Sequence, residues 1–261
     1  MNDPTAAPPL VRTTLDGVAT LVLNRPRQYN ALSAALLAAL HKELDQVAAD
    51  ESVRVLLVTG AGNAFCSGHD LKEMRALGSR AEVEALFATC SAMMRKLVAL
   101  PQPVIAVVNG LATAAGCQLV AQCDLAVASD NARFAASGIN LGLFCSTPAV
   151  SISRNLGRKR AAEMLFTGEF IDAATALEWG LVNRVAPHEQ LLETATELAN
   201  NLKSKPRSAL ALGKALFYRQ LEESMAQAYE DASKTISANM DTDIAREGVD
   251  AFFDKRSPRW D

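Results

Sequence analysis

From Val11 to Pro26 the segment VRTTLDGVATLVLNRP alternates and then runs apolar across a Gly turn, a pattern that predicts a hairpin stopped by proline. Helical spacing takes over behind Ser33, a candidate N-cap, with Leu36, Leu37, Leu40, Leu44 and Val47 on one face. VRVLLVTGAG is an apolar run rich in branched residues and ended by glycines, which predicts a buried strand. FCSGHDLKEM reads as a loop, and a helix over about 81–100 follows until Pro101 ends it. The same order recurs as strand PVIAVVNG, loop ATAAG, helix CQLVAQC, strand DLAVASD, short strand ARFAA, a loop, and helix TPAVSISRNLG. From about Pro187 only helices are expected, with apolar faces formed by Leu191, Leu192, Leu198, Leu202, Leu210, Leu212, Leu216, Phe217 and Leu221. These faces can close the core or pack on a neighbouring subunit. Repeated strand, strand and helix units without a dinucleotide GxGxxG predict a layered α/β spiral over 10–195 and a C-terminal helical region over 196–261. The first ten residues are expected to fray.

Composition narrows the partners. The chain has 261 residues, 49% of them hydrophobic and 21% charged, enough to bury a sizeable core and to exclude disordered and fibrous classes. A net charge of -3 without a clustered basic stretch argues against nucleic acid and leaves a small molecule or another copy of the chain. Five cysteines without CxxC spacing suit reduced thiols. Three histidines far apart in sequence give no zinc-ligand spacing. The start, MNDPTAAPPLVRTT, has an early acid, three prolines and no apolar run, so neither a signal nor an Arg-rich transit peptide is read there. No stretch approaches the ~20 apolar residues of a membrane span, and a soluble cytoplasmic protein is expected.

Two Gly-bearing loops, AFCSGHD and GLATAAGCQL, each follow a buried strand and lead into a helix. Free backbone N–H groups at two helix N-termini are the raw material for holding an anion or a developing oxyanion, although the same glycines serve ordinary strand-to-helix turns.

NRPRQYNALS, GAGNAFCSGHDLKEM, PVIAVVNGLATAAGCQLVAQCDLAVASDNARFA, GLFCSTP and EMLFTGEFIDAATALEWGLVNRV follow one another in the order and spacing of the enoyl-CoA hydratase/isomerase, or crotonase, family, which the chain resembles over about residues 10–256. Within it the chain is similar to the enoyl-CoA hydratase domain-containing proteins that share GLFCSTP and a Gln-for-Glu change. The resemblance implies a crotonase-type spiral of strand-strand-helix units, a C-terminal region that builds trimers or dimers of trimers, an acyl-CoA or enoyl-CoA ligand, and no metal or redox cofactor. By position, the backbone N–H groups of His69 and Ala115 become the oxyanion donors, Ala115 replacing the usual glycine. His69, Asp70, Leu71 and Lys72 would lie along the pantetheine and adenine, with Arg27, Gln28 and Ala31 on the other side of the nucleotide and Phe253 and Lys255 reaching it from the tail. For Lys72 and Arg27 plain surface charge is an equal reading.

The resemblance also marks two departures. Gln118 and Gly138 stand where hydratases of the family carry glutamates, and neither exchanges protons near neutral pH. His69 as a base and Cys145 as a nucleophile are candidate replacements, with Ser137, Asn140 and Ser146 nearby and Asp70 and Glu73 read as helix-start carboxylates. Three readings stay open: an acyl-CoA enzyme of another reaction type driven by enolate stabilisation, a non-catalytic acyl-CoA-binding or regulatory module, and a hydratase of fatty-acid metabolism that uses other groups. No Ser, His and Asp set can be placed for a peptidase of similar architecture.

Overall fold

The structure, a computed structural model, describes residues 7–260. The fraying expected of the first ten residues falls partly outside that range. Within it Pro9 is pinned, its carbonyl accepting from Asn24 N–H at 2.7 Å. Strands β1 (Leu10–Leu15) and β2 (Val18–Leu23) form the antiparallel hairpin. Its two turn residues, Asp16 and Gly17, lie at φ 48° and 75°, the left-handed pair that matches strand twist. Helix α1 (Ala34–Ala49) starts where Ser33 accepts a hydrogen bond from Leu36 N–H, and it buries the five apolar positions read from its spacing.

Three strand pairs then build two sheets. β3 (Val55–Gly60), β5 (Val104–Val108) and β7 (Leu125–Ser129) enter the larger sheet, while β4 (Ala64–Cys66), β6 (Leu111–Thr113) and β8 (Arg133–Ala135) enter the smaller. Between them come α2 (Leu71–Ala76), α3 (Arg80–Ala99) and α4 (Ala115–Gln122). After β8 the chain continues through α5 (Ser146–Asn155), α6 (Arg158–Thr167), β9 (Ile171–Asp172), α7 (Ala173–Trp179), β10 (Arg184–Ala186) and α8 (Leu191–Lys203). The larger sheet runs β1-β2-β3-β5-β7-β10 and the smaller β4-β6-β8-β9, parallel except for the β1–β2 and β8–β9 pairs. Alternate delivery to two sheets makes the chain a spiral, as the repeated units implied.

The apolar runs of β3 and β5 follow from burial on both faces. Leu56, Val58, Val104, Ala106 and Val108 point into the main core, and Val55, Leu57, Ile105 and Val107 point the other way onto Leu191, Ala195 and Ala199 of α8. Two expectations needed correction. FCSGHDLKEM begins inside β4 and ends inside α2, and ATAAG begins inside β6, where loops were read. Three-residue strands are too short to display a period of two.

The last helices, α9 (Arg207–Gln220), α10 (Met225–Met240) and α11 (Asp243–Phe253), bury a single residue, Ala251, among those described. Of the apolar positions in this region, Leu191 is buried while Leu192, Leu212, Phe217 and Leu221 are exposed. One ionic anchor joins α9 to the core: Lys214 Nζ donates to Asp124 Oδ2 at 2.7 Å and Tyr218 OH to Asp124 Oδ1 at 2.8 Å. Among the described residues no helix is long and apolar enough to cross a membrane.

Candidate functional site

The spiral brings the two Gly-bearing loops into contact. A Cβ on Gly68, whose φ is +92°, would lie 3.0 Å from Ala114 Cβ and 3.2 Å from Ala115 N, so this position suits glycine both in conformation and in space. Across the same seam a Cβ on Gly116 would fall 1.9 Å from the Cys66 carbonyl oxygen. Thr113 Oγ1 donates to Ser67 O at 3.0 Å and fixes the register of one loop on the other.

Next to this seam, Leu32 forms a parallel bridge with His69, its N–H donating to Gly68 O at 2.7 Å while its carbonyl accepts from Asp70 N–H at 3.2 Å. A residue in that register turns its own N–H away from the bridge partner. Among the described residues neither the His69 N–H nor the Ala115 N–H donates a hydrogen bond, although Ala115 is buried and His69 half-buried between buried Gly68 and Asp70. Buried amides of that kind are rare, and they mark a place where an external acceptor is received.

The expectation of two open helix N-termini is half corrected. At α2 the Asp70 carboxylate caps the helix, accepting from Lys72 N–H at 3.0 Å, so the open donor there precedes the helix. Asp70 also accepts from Arg25 Nη2 at 2.9 Å. Partial burial pushes this carboxyl up, but hydrogen bonds from Arg25 and the amides of Glu73 and Lys72 prevail and hold it below the usual range. At α4 the N-cap is Ala114, which offers no side-chain cap, so the first amides of that helix stay open.

Ala114 sits at φ 49° and ψ −118°, a conformation that costs a non-glycine residue roughly 1–3 kcal/mol. Ala115 is not among the residues with positive φ, the condition under which alanine can replace glycine there. We predict that Ala114→Gly stabilises the protein by about 1 kcal/mol, the strain relieved exceeding the added freedom of the unfolded chain. Urea denaturation checks this, and a loss of stability would show the residue to be unstrained.

The side chains near the seam are poor proton carriers. Gln118 is buried in the first turns of α4 and its Oε1 has no hydrogen-bond partner among the described residues. Gly138 lies in a short 3₁₀ turn over Ser137–Leu141, and a Cβ on it would meet Leu143 O at 2.6 Å and Cys145 Sγ at 2.8 Å. Burial pushes the Cys145 thiol up despite a hydrogen bond from the Gly138 amide, which leaves little thiolate. Asn140 donates to Gly168 O at 3.3 Å and Ser146 to Phe144 O at 3.3 Å, so both are engaged locally. No group of three or more His, Cys, Asp or Glu side chains among the described residues could hold a metal ion.

His69 does not meet the expectation of titration near neutral pH. Its ring packs edge-on against Phe87 with centroids 5.0 Å apart, Nε2 has no partner among the described residues, and burial lowers its pKa from 6.5 to about 4. The unfolded chain therefore binds a proton between those values that the folded chain does not. Stability should fall as pH drops from 6.5 to 4, by at most about 3 kcal/mol, with no contribution above 6.5. Chemical denaturation at pH 7 and pH 4.5 should show a smaller acid loss in His69→Phe than in the parent protein, and equal losses would refute the assignment.

The remaining candidates are dispersed. Ala31 is buried beside the Leu32 bridge, while Arg27, Gln28, Leu71 and Lys72 are exposed around it. Phe253 lies in a hollow with Pro206, Ala209, Ile244 and Trp260, none of which belongs to the two loops, and Lys255 follows α11 at φ 54°. Sequence reasoning missed Arg25 and Asn30. Asn30 is fully buried at φ 55°, accepts from Arg25 N–H at 2.9 Å, and donates to Ala64 O at 2.7 Å, which fastens the NRPRQYNALS segment to β4. An Asn able to adopt left-handed backbone was the available signal.

Comparison with known proteins follows this geometry. The family model described as enoyl-CoA hydratase/isomerase matches residues 13–261. The rat enoyl-CoA hydratase domain-containing protein 3, mitochondrial, is 49% identical over 94% of this chain and 82% of its own length. The crystal structure of an enoyl-CoA hydratase from Mycobacterium smegmatis superposes with a TM-score of 0.95 at 55% identity, covering 97% of this chain and 99% of that one. The human enoyl-CoA hydratase domain-containing protein 3 superposes at 0.93 with 44% identity, covering 97% and 100%. The mitochondrial location in the rat protein's name overturns the expectation of a cytoplasmic protein. That expectation rested on the composition of the first residues, and targeting is read from segments separate from the folded domain.

Proposed function

The chain belongs to the enoyl-CoA hydratase/isomerase family, and from that premise we propose that it binds acyl-CoA thioesters through a backbone oxyanion hole and lacks the acid–base pair for efficient hydration. The observation that carries this reading is the pair of unpaired N–H groups, His69 and Ala115, on loops in contact through Gly68. Two such donors suit a thioester carbonyl on which charge develops, and the loss of one typically costs about 10²- to 10³-fold in rate. The unpartnered Gln118 Oε1 can accept from a water or a ligand hydroxyl, yet an amide neither takes nor gives up a proton there. Arg27, Gln28, Ala31, Asp70, Leu71 and Lys72 are the nucleotide and pantetheine contacts in this reading. The exposed apolar side chains of α9, α10 and α11, among them Phe217, Tyr229, Ile236 and Phe252, support assembly into trimers or dimers of trimers. Phe253 and Lys255 would then reach a CoA of the same or an adjacent subunit.

Calorimetric titration with CoA and acyl-CoAs, paired with a crotonyl-CoA hydration assay, tests the proposal. Saturable thioester binding is expected, with hydration at least about 10²-fold slower than in a glutamate-bearing hydratase. Gln118→Glu alone should not restore the rate, because the partner position has no room for a side chain. Robust hydration by the parent protein, or no binding at millimolar ligand, would sink the reading.

A further inference from the structure

A groove of about 1010 Å³ opens between α3, α4, α5 and the C-terminal end of α9, and nothing above assigns it an occupant. One candidate-site residue, Gln118, lies along it. Gln118, one turn of α4 beyond Ala115, lines it with a buried, unpartnered Oε1, and Ser91 lines it one turn of α3 beyond the Phe87 that packs on His69. The charged side chains that line it are unequal in their engagements. Asp124 is held by Lys214 and Tyr218, and Arg154 is paired with Glu222 at 3.2 Å and donates to Val150 O at 3.3 Å. Arg95, an exposed residue, makes no ion pair and no side-chain hydrogen bond among the described residues, which leaves its guanidinium free to receive a ligand.

We infer that this groove receives the far part of the acyl chain and that Arg95 receives a carboxylate at its end, which makes the ligand class the CoA monothioesters of dicarboxylic acids. The inference rests on the acyl-CoA reading of the site and adds a substrate class to it. Arg95 lies eight residues along α3 from Phe87, roughly 12 Å at the helical rise, a span that an extended chain of roughly six to ten carbons covers. The apolar wall supplied by Met94 and Val98 suits the methylenes, and a planar guanidinium suits a terminal carboxylate.

The experiment is calorimetry on the full-length protein with CoA, octanoyl-CoA and the CoA monothioester of the eight-carbon diacid, repeated on Arg95→Met. The diacid thioester should bind about tenfold more tightly than octanoyl-CoA, and the variant should lose that preference while keeping its affinity for CoA. Equal affinities in the parent protein, or a preference that survives in Arg95→Met, would overturn the inference. If octanoyl-CoA and the diacid thioester both fail to bind at millimolar concentration, the acyl-CoA reading itself falls. Sedimentation of Arg95→Glu supplies the remaining arm: a changed assembly state without a ligand preference in the parent would give the groove to a second copy of the chain.

Discussion

Gly116→Ala should prevent folding or cost about 4 kcal/mol or more, the largest effect expected of any single methyl group in this protein. The added carbon would stand 1.9 Å from the Cys66 carbonyl oxygen, 2.6 Å from its carbon and 2.9 Å from its Cβ. Those are atoms of β4 and cannot rotate aside, as the far end of a flexible side chain could. Relief requires moving the first turn of α4 away from β4, which breaks the contact between Gly68 and Ala114 and separates the two unpaired amides. Any folded remainder should therefore lose acyl-CoA affinity in excess of its affinity for CoA. Gly213→Ala provides the comparison, since nothing lies within 4 Å of its added carbon in α9 and the same chemical change there should stabilise by about 0.5–1 kcal/mol. Chemical denaturation of both variants decides the matter, and a Gly116→Ala protein of parental stability would show that the loops are not packed as described.

Lys214→Met should cost about 3–5 kcal/mol, although the residue lies far along the chain from either loop. Its ammonium is nearly buried and donates to Leu97 O at 2.8 Å, Gln102 O at 3.0 Å and Asp124 Oδ2 at 2.7 Å. Burial lowers its pKa, opposed by the Asp124 charge and hydrogen bond, so the site is one where an ammonium survives only through its partner. Methionine leaves the half-buried Asp124 carboxylate with, among the described residues, only Val104 N–H and Tyr218 OH as donors. Adding Asp124→Asn should return part of the loss by removing the uncompensated charge while keeping an acceptor for Val104. Equilibrium denaturation of the single and double variants measures the coupling, and a single-variant cost below about 1 kcal/mol would mean that the anchor is solvated.

The long elements were legible because each carries its own signal. β3 and β5 are mainly apolar since both faces are covered, α1 follows a Ser N-cap, and α3 ends at Ala99, two residues before Pro101. β4 and β6 were not legible because each, unlike the equally short β8, runs directly into a Gly-bearing stretch that reads as a loop, and α2 is a six-residue helix whose cap, Asp70, could equally have been a loop carboxylate. The strained Ala114 was invisible because alanine gives no sign of left-handed backbone. Contacts across long sequence separation left no trace either. Nothing near Lys214 announces Asp124, and nothing near Gly116 announces Cys66. The candidate donors at His69 and Ala115 came from resemblance, since a Gly-bearing turn alone does not say which amide stays unpaired.

Because both of those donors belong to the main chain, an alanine scan cannot delete either of them, and proline, the one encoded residue without the N–H, also brings a ring and a fixed φ. Otherwise a scan can only perturb the backbone that aims them, through positions such as Gly68, Ala114 and Gly116. Removal with every side chain left in place needs a change of atom type: replacing the residue with its α-hydroxy acid turns the amide into an ester, exchanging one nitrogen for oxygen. The heritable part of this site is thus its shape, and the groups inside it are ones that any codon but proline's would have supplied.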